Sequence, residues 1–238
     1  MVTRVLILAG GAAPDRAELE AAWPGWNRAI DLVIAADAGA LLAGPLGLSL
    51  DLIVGDGDSL GEEALLELGR TGVAIERSPA DKDASDTELA LIAAADRGAT
   101  DLIVLGAFGE RLDHELANVW ILAHPVLAGR AVTFLDGRTR VRLLAGPPVD
   151  ASNPVARLEL ADRPGGLVTL LPFDGPATGV SSHGLRWSLA RATLVGGSSL
   201  GLSNEVLDGL REPPRVELET GRLLVIETSL LGSGHEHA

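Results

Sequence analysis

Cysteine is absent from the 238-residue chain. With it go disulfides, zinc–thiolate sites, iron–sulfur clusters and any cysteine nucleophile, and nothing asks for an oxidising compartment. Tyrosine is absent too, and Lys82 is the only lysine, every other basic residue being arginine. That bias reads as a genome-wide preference, so a lysine surviving within it is a candidate for function and not only for solvated charge. Positive charge is scarce overall, with 19 basic against 33 acidic residues and a net charge of −14. A nucleic-acid backbone requires a basic surface, so this balance argues against that class of partner. A small phosphorylated ligand stays open, because a divalent cation can bridge acidic protein to acidic ligand; solubility alone accounts for the acidic excess equally well. Long apolar runs are also missing. Residues 5–9 are far too few for a signal h-region and no basic leader precedes them. No later run reaches the ~18 residues of a membrane span. The expectation is a cytoplasmic protein with no membrane partner.

Hydrophobic residues make up 47% of the chain, enough for a sizeable core. In the first half, short apolar runs at residues 4–9, 32–36, 52–55, 73–75, 102–105 and 132–135 read as strands. Between several of them lie helical patterns, at 14–23 (opened by proline), 62–68, 86–96 and 115–128. Strands that are apolar throughout, with no alternation, suit a sheet covered by helices on both faces. This predicts an α/β domain with a doubly wound, mostly parallel sheet. After about Gly137 the pattern changes to short, often alternating segments at 138–144, 156–160, 167–171, 185–189, 192–194, 216–219 and 223–227, separated by Gly, Pro, Asn and Asp. These predict a smaller antiparallel β-sandwich domain, giving domains 1–137 and 138–238.

In open α/β sheets ligands bind beyond the carboxyl ends of the strands, and there the acidic residues gather. Asp37 follows the second expected strand, Asp56 and Asp58 the third in Gly55-Asp56-Gly57-Asp58-Ser59. Asp81-Lys82-Asp83-Ala84-Ser85-Asp86 follows the fourth, and Gly106-Ala107-Phe108-Gly109-Glu110-Arg111-Leu112-Asp113-His114 the fifth. Taken singly, each has a structural account: Ser85 and Glu88 form a capping box, Asp113 is a plausible helix N-cap, and glycine turns after strands are ordinary. Together they are harder to dismiss. Converging carboxylates repel one another and resist ionisation unless a cation compensates. Magnesium prefers oxygen ligands and shares its shell with phosphate oxygens and water. Lys82 and Arg111 add positive charge, and the helix starts near Asp86 and His114 offer backbone N–H groups. That parts list matches phosphoryl transfer from a nucleotide.

Several alternatives fall away. There is no Gly-x-x-x-x-Gly-Lys-[Ser/Thr] loop, and no Gly-x-Gly-x-x-Gly follows Gly10-Gly11, which disfavours a dinucleotide oxidoreductase. Gly197-Ser198-Ser199-Leu200-Gly201 formally matches a hydrolase elbow, but it lies in the β-rich half and only His235 and His237 follow it. His114-Glu115 does not continue into His-Glu-x-x-His, so no zincin is present.

The motifs in this order resemble the thiamine pyrophosphokinase (thiamine diphosphokinase) family. The resemblance rests on residues 36–40, 51–59, 81–88 and 106–114, then on Ser182-His183-Gly184-Leu185-Arg186-Trp187-Ser188-Leu189 and Gly201-Leu202-Ser203-Asn204-Glu205. It implies an α/β nucleotide domain followed by a β sandwich, and a homodimer with thiamine bound between subunits. It implies transfer of diphosphate from ATP to the hydroxyl of thiamine, with AMP released. By the same resemblance Asp56, Asp58 and Asp86 would hold Mg2+. Lys82, Arg111, Asp113 and His114 would lie around ATP and its phosphates, with Asp37 nearby. Ser182, Trp187, Ser203 and Asn204 would face thiamine. Asp37 and Asp58 both remain candidates for the base, and Trp187 is either a stacking partner or a core or interface residue. The chain departs from the family pattern at Ala38 and Ala40, which replace a glycine and an asparagine, and at Gly57, where phenylalanine is usual. Ser85 stands for threonine, and Glu110 follows Gly109 where a second glycine is usual. A pyrophosphokinase for another hydroxymethyl heterocycle, such as a pterin, and a non-catalytic nucleotide-binding regulator of the same fold are the competing readings.

Overall fold

The computed structural model describes residues 3–78, 83–109, 111–147 and 154–230. Six strands of the first unit, Met1–Gly137, are β1 (Arg4–Leu8), β2 (Leu32–Ala36), β3 (Leu52–Gly55), β4 (Ala74–Arg77), β5 (Asp101–Leu105) and β6 (Ala131–Asp136). They pair in the order β6-β5-β1-β2-β3-β4, every pair parallel. The inner strands are buried almost throughout, which explains why their sequences are apolar without alternation. At the edge, β4 is largely exposed and ends in Glu76 and Arg77, charges that blunt an unpaired strand.

Among the described residues, five α-helices connect these strands: α1 (Arg16–Ala22), α2 (Ala43–Leu46), α3 (Glu62–Arg70), α4 (Asp86–Asp96) and α5 (Leu112–Ile121). Helix α4 packs on β1, β2 and β3 through Ala90, Leu91, Ala93, Ala94 and Ala95, small side chains that let it lie close to the sheet. Its start matches expectation, Ser85 Oγ accepting the Glu88 N–H at 3.2 Å. Helix α1 starts later than expected. Pro14 stands outside it and Asp15 is the cap, its carboxylate accepting the Glu18 N–H at 2.8 Å. The single helix expected over 115–128 is two elements, because Pro125 cannot continue α5; a short 3₁₀ turn, Pro125–Leu127, follows it. Asp113 is not the cap of α5: the helix begins at Leu112, with Arg111 in the cap position.

The second unit, Arg138–Ala238, contains β7 (Thr139–Ala145), β8 (Ala156–Glu159), β9 (Leu167–Pro172), β10 (Ala177–His183), β11 (Ala192–Leu194), β12 (Asn204–Glu205), β13 (Arg215–Leu218) and β14 (Arg222–Thr228). Strands pair antiparallel as β12-β9-β14-β7 and as β11-β10-β13-β8. Their inward residues, among them Val168, Leu170, Leu223 and Val225 from one sheet and Val180, Leu194, Val216 and Leu218 from the other, share one core, so this unit is a sandwich. Residues 185–189, expected as a strand, form a loop. Gly184 turns the chain at φ +74, and only Leu185 bridges, to Val206. Strand β10 escaped the sequence reading because Thr178, Gly179, Ser181 and Ser182 hide its pattern. No helix among the described residues is long and apolar enough to cross a membrane.

Candidate active site

The order β6-β5-β1-β2-β3-β4 reverses direction at β1, and ligands of such sheets sit at the carboxyl ends beside that reversal. Three carboxylates meet there. Asp37 follows β2, Asp56 follows β3 and Asp86 opens α4; one oxygen from each lies within 4.8 Å of the others. Asp37 is held hardest. Its backbone is left-handed at φ 42, a cost accepted at functional sites where the surroundings leave no choice. Two residues on, a Cβ on Gly39 would stand 1.9 Å from the Leu8 carbonyl oxygen, so the turn after β2 is pressed onto the end of β1. Gly55 keeps the carboxylates together: a Cβ there would come within 3.0 Å of Asp37 Cβ and 3.1 Å of Asp86 Oδ1.

Asp37 is 3% exposed. Its Oδ2 accepts the Ser59 N–H at 3.1 Å, whereas its Oδ1 is buried with no hydrogen-bond partner. A buried carboxylate oxygen without a donor, beside two further carboxylates, is an arrangement that a hard cation satisfies. The all-oxygen donor set fits magnesium. Asp58 does not belong to this trio. It is exposed, and its N–H donates to Asp56 Oδ1 at 3.0 Å, closing a turn around Gly57 at φ +84. A Cβ on Gly57 would meet Leu65 of α3 at 2.3 Å, so the residue between the two aspartates faces α3. Lys82 lies outside the described residues.

On the other side of β1, the loop after β5 continues the sheet pairing. Gly11 N–H donates to the Gly106 carbonyl and Ala12 N–H to the Phe108 carbonyl, both at 2.8 Å. Two α5 side chains reach back to this loop: Glu115 accepts the Gly109 N–H at 2.9 Å, and Asn118 Nδ2 donates to the Ala107 carbonyl at 2.6 Å. Neither was singled out from sequence, although their i, i+3 spacing at a helix start was the available signal. Arg111 and Asp113 form a two-bonded ion pair, Nε–Oδ1 3.2 Å and Nη2–Oδ2 2.7 Å, with both side chains exposed. The hydrogen bond from Arg111 holds the Asp113 carboxyl below its usual range. His114, in the same first turn, is exposed. Asp136, at the end of β6, is pushed up by burial and by the Glu18 and Glu115 carboxylates.

In the second unit Trp187 is 58% exposed, with the Arg186 guanidinium 5.8 Å from its ring centroid. Ser203, at φ 51, is exposed. Ser182 and Asn204 are buried, at 3% and 4% exposure, and their side chains bond to the segment that carries Trp187.

Residues 25–134 match the family model of the thiamin pyrophosphokinase catalytic domain, and residues 157–223 that of the thiamin pyrophosphokinase vitamin B1 binding domain. The chain is 24% identical over 153 residues to a thiamine pyrophosphokinase of Bacillus subtilis, an alignment covering 64% of this chain and 68% of the relative. Among solved structures, a thiamin pyrophosphokinase family protein of Enterococcus faecalis superposes with a TM-score of 0.76 at 27% identity, covering 95% of this chain and 99% of the other. A thiamine pyrophosphokinase of Bacillus subtilis superposes with a TM-score of 0.78 at 20% identity over the same shares.

Proposed function

Since the chain belongs to the thiamin pyrophosphokinase family, we propose that it transfers diphosphate from ATP to the hydroxyl of thiamine, giving thiamine diphosphate and AMP. The observation carrying this reading is the carboxylate group Asp37, Asp56 and Asp86, whose buried Asp37 Oδ1 has no donor. These three would hold magnesium, with Asp58 standing outside the group in the adjoining turn. Bound there, the ion supplies neutralisation of the triphosphate and of the charge that develops on its oxygens.

In the reaction the thiamine hydroxyl oxygen bonds to the β-phosphorus of ATP, the bond from that phosphorus to the α–β bridging oxygen breaks, and AMP departs with that oxygen. The hydroxyl proton passes to a carboxylate of the same edge. Lys82 and Arg111 serve the phosphates. Asp113 holds the Arg111 guanidinium in a fixed plane, and His114 is exposed one residue further on. The Gly109 N–H and Ala107 carbonyl are tied to α5, so the loop presenting Arg111 is restrained before ligand arrives. In the second domain, residues 138–238, Trp187 and Ser203 face the acceptor, the indole stacking on a thiamine ring. Such a contact is worth about 0.5–2 kcal/mol.

Two copies form the working unit, with thiamine bound between them. Support comes from α5, where Leu112, Leu116 and Trp120 recur every fourth residue at 68%, 52% and 56% exposure, an apolar stripe of the kind that marks association surfaces.

AMP release from ATP and magnesium, measured with thiamine, with a pterin alcohol and with neither, tests the reading. The expected result is AMP with thiamine alone. AMP with only the pterin alcohol would move the acceptor, and ATP binding without AMP from any acceptor would make the chain a regulator.

A further inference from the structure

Trp187 exposes its ring, yet its peptide is gripped on both sides by one buried amide. Asn204 Oδ1 accepts the Trp187 N–H at 3.0 Å, and Asn204 Nδ2 donates to the Trp187 carbonyl at 2.7 Å. The same Oδ1 accepts the Glu205 N–H at 2.9 Å, which uses both of its lone pairs. With 4% exposure, this side chain has no acceptor capacity left for a ligand. A second anchor stands two residues downstream of Trp187. Ser182 Oγ accepts the Leu189 N–H at 2.9 Å, and Ser182 N–H donates to the Leu189 carbonyl at 3.0 Å.

Between these anchors the segment has little freedom. Leu185 is buried in the sandwich core, the Arg186 N–H donates to the Glu205 carbonyl at 2.9 Å and the Leu207 N–H to the Gly184 carbonyl at 3.0 Å. The Arg186 side chain is tied to Glu205 at 2.7 Å and stands 5.8 Å from the indole centroid. A large exposed apolar residue on a loose loop surrenders conformational freedom when a ring stacks on it; one whose backbone is already fixed does not. The polar groups of this segment are therefore spent on holding one exposed ring still.

We propose that Asn204 is a positioning residue for acceptor binding, acting through Trp187, with Ser182 as the second anchor. The inference rests on the reading that Trp187 meets the acceptor, and it replaces direct contact between thiamine and the Asn204 side chain with an indirect role.

Coupling between the two residues is the test. In the 238-residue chain, Asn204→Ala, which removes three hydrogen bonds, two of them to Trp187, is expected to raise the thiamine KM about tenfold, while the ATP KM stays within about twofold. In a Trp187→Ala background, Asn204→Ala should add nothing further to the thiamine KM. Equal effects of Asn204→Ala with and without Trp187, or a parallel rise in both KM values, would overturn the proposal. If Asn204→Ala does not fold, Ser182→Ala, which strips only the Leu189 N–H of its acceptor, carries the same expectations. Fluorescence anisotropy gives a reading that needs no turnover. The Trp187 contribution, isolated by subtracting a Trp187→Phe protein, should fall in Asn204→Ala or Ser182→Ala. Unchanged anisotropy would refute the positioning role, whereas wild-type protein without thiamine-dependent AMP release would refute the proposed function and leave the anisotropy result to decide this one.

Discussion

Asp37 combines three costs at one position: a left-handed backbone, burial, and a carboxylate oxygen with no donor. The backbone cost is paid with or without a ligand, whereas burial and the missing donor are unfavourable without a cation and are relieved where one is held. Asp37→Asn removes one negative charge from the group with little change of shape. Without divalent cation the variant is expected to melt about 2–4 °C higher than the wild type, as relief of ~1 kcal/mol of repulsion would produce in a chain of this size. With magnesium and ATP the order should reverse, because only the wild type gains from the ion, and turnover should fall about 100-fold or more. Melting curves with and without the cation check this; a variant that melts lower in both conditions would remove Asp37 from the metal group. The sequence reading included Asp37 at this edge but assigned the metal to Asp56, Asp58 and Asp86. Which carboxylates converge depends on how the turn around Gly57 swings, and a one-dimensional spacing does not carry that information.

Among the elements, β7, β14 and the segment after β8 are joined by one buried charge. Glu227 of β14 is 3% exposed and accepts from Arg140 Nε and Nη2 at 2.8 and 2.7 Å, from Arg142 Nη2 at 2.6 Å and from the Ala161 N–H at 2.7 Å. Burial alone would push its carboxyl up. The Arg140 hydrogen bonds and the two guanidinium charges outweigh that and hold it below the usual carboxylate range. Burial also pulls Arg142 down against the attraction of Glu227, so the network contributes less than its short distances suggest. Glu227→Gln leaves two guanidiniums facing a neutral amide and is expected to cost about 3 kcal/mol near neutral pH. Because the folded carboxyl is lowered, its stabilisation is present above the unfolded value of 4.5 and is lost as pH falls from there through the folded value. Denaturant melts of wild type and variant should therefore converge in that acid window. A difference that stays constant with pH would assign the loss to packing and not to charge. From sequence, β7 and β14 were legible as strands, but the alternation placed Glu227 on no particular face, and its inward aim follows from the pairing with β7 and β9.

For the molecule as a whole, the exposed stripe on α5 is where association belongs if two copies pair. Leu116→Glu places a charge at its centre and is expected to shift the particle from dimer to monomer in sedimentation or light scattering, with the melting temperature of the monomer little changed. A dimer that persists would place the contact on another face. The change also lies three residues from Asp113, so the thiamine and ATP KM values should be recorded with the mass.

What the residues determined unaided was the order of parts. Continuous apolar runs imply a sheet covered on both faces, alternation after Gly137 implies a sandwich, and carboxylates after successive strands fall on one edge because parallel strands all end on the same side. Those are consequences of periodicity and chain direction, which are properties of sequence. The tertiary structure decided what depends on approach between distant segments. Gly39 against Leu8 and Gly55 against Asp37 bring one trio of carboxylates together and leave Asp58 outside. Asn204 closes on Trp187 from 17 residues away. Ser182 and Asn204 read as ligand contacts when only their type and motif are known; their burial and their hydrogen bonds to the Trp187 segment, which only the folded chain shows, are what the positioning proposal rests on.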